Sequence, residues 1–223
     1  MISFIIRTKN EEYWVGHCIQ SIIENFSNEE KLEIKVIDNE SKDDTLQIVK
    51  MFREYNIEVL TIPKTEYTPG KALNLGLRSV SSSSDFACLI SAHCVVDKID
   101  LDLLRSHFID NNCFGVLGRQ KPVYKGKILK SKYVWENFVQ NESNVIKNLR
   151  ENIEGNSAFF HNAFSFINMN VWRQHKFDEN VTGKEDRLWA NHLLKKNYYF
   201  LYDSSQVCVH HWTSNCATWS GLE

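Results

Sequence analysis

"ISFIIRTKNEEYWVGHCIQSIIENFSNEEKLEIKVIDNES", residues Ile2 to Ser41, is the stretch whose reading decides the fold. Two short runs, ISFIIRT and LEIKVIDNES, are rich in Ile and Val and give way to polar turns, as buried strands do. Between them, EEYWVGHCIQSIIENF repeats its apolar residues at helical spacing. That order is a β-α-β unit, and strands separated by single helices favour a parallel sheet with helices on both faces.

The alternation continues outward from this unit. A second helix is expected from roughly Asp43 to Tyr55, opened by SKDDT, in which Ser41 or Asp43 can cap the first turn. The strand IEVLTIP follows, then GKALNLGLRSV, helical in period despite its glycines, the polar turn SSSSD, and the strand FACLIS. Beyond it GVLGRQKPVYKG reads as a strand and turn, SKYVWENFVQNESNVIKNLRENI as helix-like, and AFFHNAFSFINMNVW alternates as a strand does. GKEDRLWANHLLKKNY is a helix whose acidic start suits the positive end of the helix dipole. In parallel sheets, ligands bind outside the carboxyl ends of the strands. Arg7, Thr8, Asn10, Asp38, Asn39, Ser41 and His93 all fall just past such ends, so one crevice can collect them.

The 223 residues suffice for one sizeable α/β domain, and no repeat or linker divides them. Apolar residues make up 43% and charged residues 24% of the chain, with a formal net charge of −2, which gives no general pull toward nucleic acid. The opening apolar run is too short for a signal peptide or a membrane span, so the expected location is cytoplasmic, with at most a peripheral contact at the inner membrane face. Cys18, Cys88, Cys94, Cys113, Cys208 and Cys216 show no C-x-x-C spacing and read as reduced packing residues. Lysines 121, 125, 127, 130 and 132, mixed with aromatic and aliphatic residues, read chiefly as a solvated face. Their functional reading is a peripheral membrane contact.

Four separated motifs occur in order: SFIIRTKNEEYWVGHCIQSI, IKVIDNESKDDT, TPGKALNLGL and GKEDRLWANHLL. Together they resemble a bacterial family 2 glycosyltransferase of the GT-A fold, over nearly the whole chain. The resemblance implies one GT-A domain over 1–223, with a nucleotide-sugar-binding half (1–120) and an acceptor-binding half (121–223). It implies that Arg7, Thr8, Asn10 and Glu11 line the nucleotide pocket, that Asp38, Asn39 and Ser41 read base or ribose, and that Lys71 and Asn74 reach phosphate or ribose from a glycine-permitted turn. Arg119, Gln120 and Asn162, with Ala163, are the looser pocket candidates.

Where family members usually carry Asp-x-Asp, this sequence has Ser91, Ala92 and His93, a departure similar to a subset of these enzymes. Imidazole in place of carboxylate disfavours an all-oxygen Mg²⁺ site and shifts an expected cation toward Mn²⁺. His93 with one of His210 and His211 is then the expected metal pair, while metal-independent chemistry on His93, Arg119 or Lys71 stays open. Glu185-Asp186 matches the family's Glu-Asp motif, which implies Asp186 as the general base of an inverting transfer and Glu185 as a helper toward the acceptor. The implied reaction moves a sugar from a nucleotide diphosphate, UDP by default, to a glycan or lipid-linked hydroxyl in surface polysaccharide synthesis. A catalytically silent nucleotide-binding module is the alternative. A nucleotidyltransferase would need a glycine-rich phosphate loop after the first strand, and RTKNEE is not one.

Overall fold

A computed structural model describes residues 1–26, 31–128, 140–150, 152 and 159–214. The elements run β1 (Ile2–Thr8), α1 (Val15–Asn25), β2 (Leu32–Asp38), α2 (Thr45–Lys50), β3 (Ile57–Thr61), α3 (Pro69–Arg78), β4 (Phe86–Ser91) and β5 (Cys94–Lys98). They continue with α4 (Leu101–His107), β6 (Cys113–Tyr124), β7 (Lys127–Ile128), β8 (Asn144–Ile146), β9 (Phe164–Asn168), α5 (Met169–Gln174), α6 (Glu185–Leu194) and β10 (Tyr199–His211). One sheet takes the strands in the order β3-β2-β1-β4-β9-β6-β10-β5, with β7 paired to β6 and β8 to β10.

The expected β-α-β unit is present, and β3, β2, β1 and β4 are parallel, with Thr8 opposite Asp38 and Arg7 opposite Ser91. Side chains alternate along β1: Phe4 and Ile6 join the core beneath α1 and α4, while Ile5 joins the core beneath α3, α5 and α6. Both faces of the sheet are therefore covered, as an α/β architecture requires. The far half is mixed, because β9 runs antiparallel to both β4 and β6, and β10 is parallel to β6 but antiparallel to β5. As a result the start of β9 and the ends of β6 and β10 meet the carboxyl ends of β1, β2 and β4 along one edge.

Four local expectations are corrected. The helix expected over 43–55 is regular only from Thr45 to Lys50. Asp43 accepts from Thr45 N, whereas Ser41 is tied to Asp38 instead of capping α2. The helix-like stretch contains the strand β8 at Asn144–Ile146, where Phe200, Leu201 and Tyr202 of β10 supply a sheet edge; its 131–139 segment lies outside the described residues. The expected strand through Trp172 ends at Asn168, whose side chain accepts from Asn170 N and Val171 N and so starts α5. Gly70 lies in the first turn of α3 rather than at a positive φ. A Cβ there would come within 2.1 Å of Asp178 O, so close approach excludes a side chain.

Cys18, Cys88, Cys94, Cys113 and Cys208 are free and buried, and Cys216 lies outside the described residues.

Candidate active site

The carboxyl-edge crevice is organised by Asn162, just before β9. Its backbone N donates to Asp186 Oδ2 at 3.2 Å, and its side-chain Nδ2 donates to Glu185 Oε1 at 2.6 Å. Arg7, at the end of β1, donates to Asn162 Oδ1 and stands 3.6 Å from Glu185 Oε1. Four predicted residues from three elements thus share one network. Glu185 is buried in this network as the anchor of Arg7 and Asn162, rather than open to an acceptor. Asp186 is different, since the residue is only partly buried and its carboxyl carries no ion pair among the described residues. Surrounding protein, with Glu185 beside it, pushes the Asp186 carboxyl up to about 7, against the opposing pull of the Arg187 amide and Arg7.

At the nucleotide end, Asp38 is buried and accepts from Ser41 N at 3.1 Å and Ser41 Oγ at 2.5 Å. Ser41 Oγ in turn accepts from Asn10 N at 2.9 Å, and Asn10 Oδ1 accepts from Lys42 N. Asn10 holds a φ of +52°, a left-handed conformation that asparagine tolerates. These bonds clamp the loop after β1 to the loop after β2. Asn39 is held by Lys9 Nζ and Ile62 O. Thr8 Oγ1 is buried with no hydrogen-bond partner among the described residues, as is Arg119 Nε.

Two expected donor contacts are placed elsewhere. Asn74 makes four internal bonds, to Phe177 O, Glu179 Oε1, Trp172 Nε1 and Phe177 N, which fill its amide completely. It fastens α3 to the segment before α6. Lys71 N is bound by the Thr68 cap, and its half-buried side chain is the part of this motif left toward the surface. Gly70 serves the same packing, not a phosphate turn.

The histidines fall into two roles. His93 sits in the turn between β4 and β5, after Ser91 and the fully buried Ala92, and its Nδ1 lies 3.0 Å from Glu11 Oε1. Glu11 is therefore the partner of His93, with Thr213 Oγ1 3.4 Å from the same carboxyl oxygen. His210 stacks on His93 with ring centroids 5.1 Å apart. His211 is turned onto the Trp14 indole, centroids 3.8 Å apart, and burial with His17 and His93 nearby lowers it to about 4. Its expected metal role is thus corrected to a stacking one. Among the described residues, no group of three His, Cys, Asp or Glu side chains is arranged to hold a metal ion. A cation here would have at most the two Nε2 atoms of His93 and His210 from the protein, because both rings are held through Nδ1.

The sequence did not point to Trp14 or His161 as site residues. His161 stands beside Asn162 in HNAFSF, and this polar pair inside an apolar run is its only signal. Of the basic run, Lys121 is paired with Asp97 at 2.5 Å and Lys125 lies over Tyr124, while Lys130 and Lys132 lie outside the described residues. No described helix is long and apolar enough to cross a membrane.

Comparison with solved structures shows the same fold in several glycosyltransferases. S. aureus TarS 1–349 in complex with UDP-GlcNAc superposes with a TM-score of 0.71 at 19% identity, over 99% of this chain and 61% of that one. The mannosyltransferase PcManGT from Pyrobaculum calidifontis, in complex with GDP-Man and Mn²⁺, gives 0.64 at 19% identity, over 96% and 57%. GalNAc-T7 with UDP, GalNAc and Mn²⁺ gives 0.74 at 12%, over 99% and 45%. The chain thus spans about 60% of the TarS fragment's length. Comparison with curated protein sequences finds no match. The sequence model of Glycosyl transferase family 2 matches residues 3–181, which takes in most of the strands and stops short of α6 and β10, and the chain belongs to that family.

Proposed function

We propose that the protein is an inverting glycosyltransferase that moves a sugar from a nucleoside diphosphate to an acceptor hydroxyl. The observation that carries this reading is Asp186: a carboxyl on a partly buried residue, oriented by Asn162 N and Arg187 N and raised to about 7 by its surroundings. A base titrating near the working pH is well matched to taking a hydroxyl proton as the oxygen attacks the anomeric carbon. Glu185 is tied to Arg7 and Asn162, so Asp186 acts as the single base, and single displacement needs no covalent intermediate. A silent module would have no use for a carboxylate held at this cost.

The donor occupies the 1–120 half, where Thr8 Oγ1 offers a buried unmatched hydroxyl and the Asp38–Ser41 clamp shapes the wall for base or ribose. TarS and PcManGT, with their UDP-GlcNAc and GDP-Man complexes, support a UDP- or GDP-sugar. A divalent cation bound on the diphosphate supplies charge neutralisation as the leaving phosphate develops, and Mn²⁺ suits an imidazole ligand. His93 is the residue that would hold it, and a single imidazole nitrogen with no carboxylate beside it would suit an ion carried chiefly by the donor rather than one caged by protein. Arg119, with its unmatched buried Nε, is the cation that would face the diphosphate otherwise. The acceptor, served by the 121–223 half, is a hydroxyl of a glycan or lipid-linked carrier in bacterial surface polysaccharide synthesis. Lys125, Lys127 and the exposed Ile128 are the described part of the basic run that would meet an anionic membrane from the cytoplasmic side.

The test is nucleotide release from a panel of UDP- and GDP-sugars with Mn²⁺, Mg²⁺ or EDTA, with mixed glycan acceptors present. Release that depends on one donor and falls in Asp186→Asn supports the proposal; no release from any donor, or release indifferent to Asp186→Asn, overturns it.

A further inference from the structure

A chain of hydrogen bonds runs beside the His93–His210 stack. Ala163 N lies 3.2 Å from His161 Nδ1, His161 Nε2 lies 2.7 Å from one end of the Gln120 amide, and the other end lies 2.5 Å from His210 Nδ1. Gln120, His161 and His210 are all buried, and they come from three places: mid-sheet β6, the approach to β9, and the end of β10.

Each step in this chain fixes the next. A backbone N–H can only donate, so His161 Nδ1 must accept, and His161 is then neutral with its proton on Nε2. That Nε2–H lies 2.7 Å from the Gln120 amide, and of the two ends of that amide only the oxygen can accept it. The placement with Gln120 Nε2 toward His161 would set donor against donor, and the amide's O and N share one shape, so the hydrogen-bond network decides their order. With the oxygen on His161, the amide NH₂ faces His210 Nδ1. That nitrogen must therefore accept, and His210 is neutral with its proton on Nε2.

His93 is set the opposite way. The Glu11 carboxylate takes Nδ1–H, the arrangement by which carboxylates orient metal-ligating histidines, and it leaves Nε2 of His93 as the basic nitrogen. We infer that Gln120 and His161 are positioning residues that fix His210 as an Nε2–H donor, so that the stacked pair is one ligand, His93, and one hydrogen-bond donor, His210. Two stacked imidazoles that look alike in sequence are thereby given different chemistry. His93 suits a cation on the donor diphosphate, whereas the fully buried His210 presents an N–H beside it and no second ligand nitrogen. This assignment rests on the nucleotide-sugar reading only for what the two rings meet; the proton positions follow from the protein alone.

The experiment is nitrogen-15 NMR of the full chain with labelled histidine, without nucleotide or metal, in which long-range N–H correlations show which ring nitrogen carries the proton. Signals are assigned by single replacement of His93, His161 and His210. The expected wild-type pattern is Nε2–H for His161 and His210 and Nδ1–H for His93. In Gln120→Glu the new carboxylate can only accept, so it still takes the His161 proton but now draws one to His210 Nδ1, switching that ring while His161 stays as it was. A merely structural role for Gln120 would leave the His210 proton where it is. Nδ1–H or an imidazolium at His210 in the wild type overturns the inference, as does an unswitched ring in a folded Gln120→Glu. If that variant does not fold, the wild-type spectrum decides alone. Because no nucleotide is present, a failure here is separate from a failure of the transferase assignment.

Discussion

Asp186→Asn should make the protein more stable while it abolishes most of its turnover. The ordinary carboxylate value is 3.8, and in the fold the Asp186 carboxyl is pushed up to about 7. The folded chain therefore holds this proton more tightly than the unfolded chain. The stability linked to that proton is fully present below the unfolded value and drains away as pH rises through the folded one. Above pH 7 an ionised Asp186 costs the fold at most ~4 kcal/mol, taking ~1.4 kcal/mol per tenfold difference in proton affinity. Partial exposure reduces this, and asparagine surrenders one of the two amide bonds now shared between Asn162 N and Arg187 N, worth about 1 kcal/mol. The expected net gain at pH 8 is about 2 kcal/mol, or roughly 4–8 °C in Tm for a chain of this size. Near pH 4 both side chains are uncharged and the gain should vanish. Differential scanning calorimetry of wild type and variant between pH 4 and 8 measures this, alongside a turnover loss of about 10²–10⁴ expected for a missing general base. A variant less stable than wild type at pH 8, or a gain that does not grow with pH, refutes the burial argument.

Further outcomes are expected elsewhere in the fold. Thr8→Val removes a buried hydroxyl that has no partner, so Tm should hold or rise by about 1 kcal/mol worth of stability, whereas calorimetry should show weaker nucleotide binding. Gly70→Ala drives a methyl toward Asp178 O and should cost roughly 1–3 kcal/mol or more in urea unfolding. Asn74→Leu leaves the Trp172 indole N–H and the Phe177 backbone unmatched and should cost a few kcal/mol, about 1–3 for each buried group left without a partner, read by the same unfolding curves. Burial pushes the Cys113 thiol up to about 12 and raises Cys18 and Cys88, so these three should resist a thiol reagent at pH 8 until denaturant is added.

The parallel half of the sheet was legible because its signals are local: apolar runs ending in polar turns, with one helix between each pair. β8 was not, since Asn144–Ile146 is only three residues long inside a stretch with helix-like spacing, and its Val and Ile become a strand by pairing with Phe200–Tyr202, far along the chain. The site divides in the same way. Arg7, Asn162, Glu185 and Asp186 could be named one by one, yet the bonds that join them span up to 155 residues. The resemblance assigns Glu11 to the nucleotide wall, and only the turn after β4 shows that its carboxylate meets His93. Asn74 misled because a helix-face asparagine looks the same in sequence whether it meets a ligand or, as here, four groups of its own chain. His210 and His211 are adjacent and chemically identical, and strand alternation alone separates them, turning one ring onto His93 and the other onto Trp14.

The central claim is a nucleotide-sugar site at the ends of β1, β2 and β4 with Asp186 standing apart as the base. Its most direct test is calorimetric titration of UDP and GDP into EDTA-treated protein, with and without added Mn²⁺, for wild type, Thr8→Val, His93→Ala and Asp186→Asn. The account predicts that one of these nucleotides binds, that Thr8→Val weakens it, that any gain from Mn²⁺ disappears in His93→Ala, and that Asp186→Asn leaves it unchanged. Absence of binding by either diphosphate, or binding that ignores Thr8 and His93 but collapses in Asp186→Asn, would contradict it.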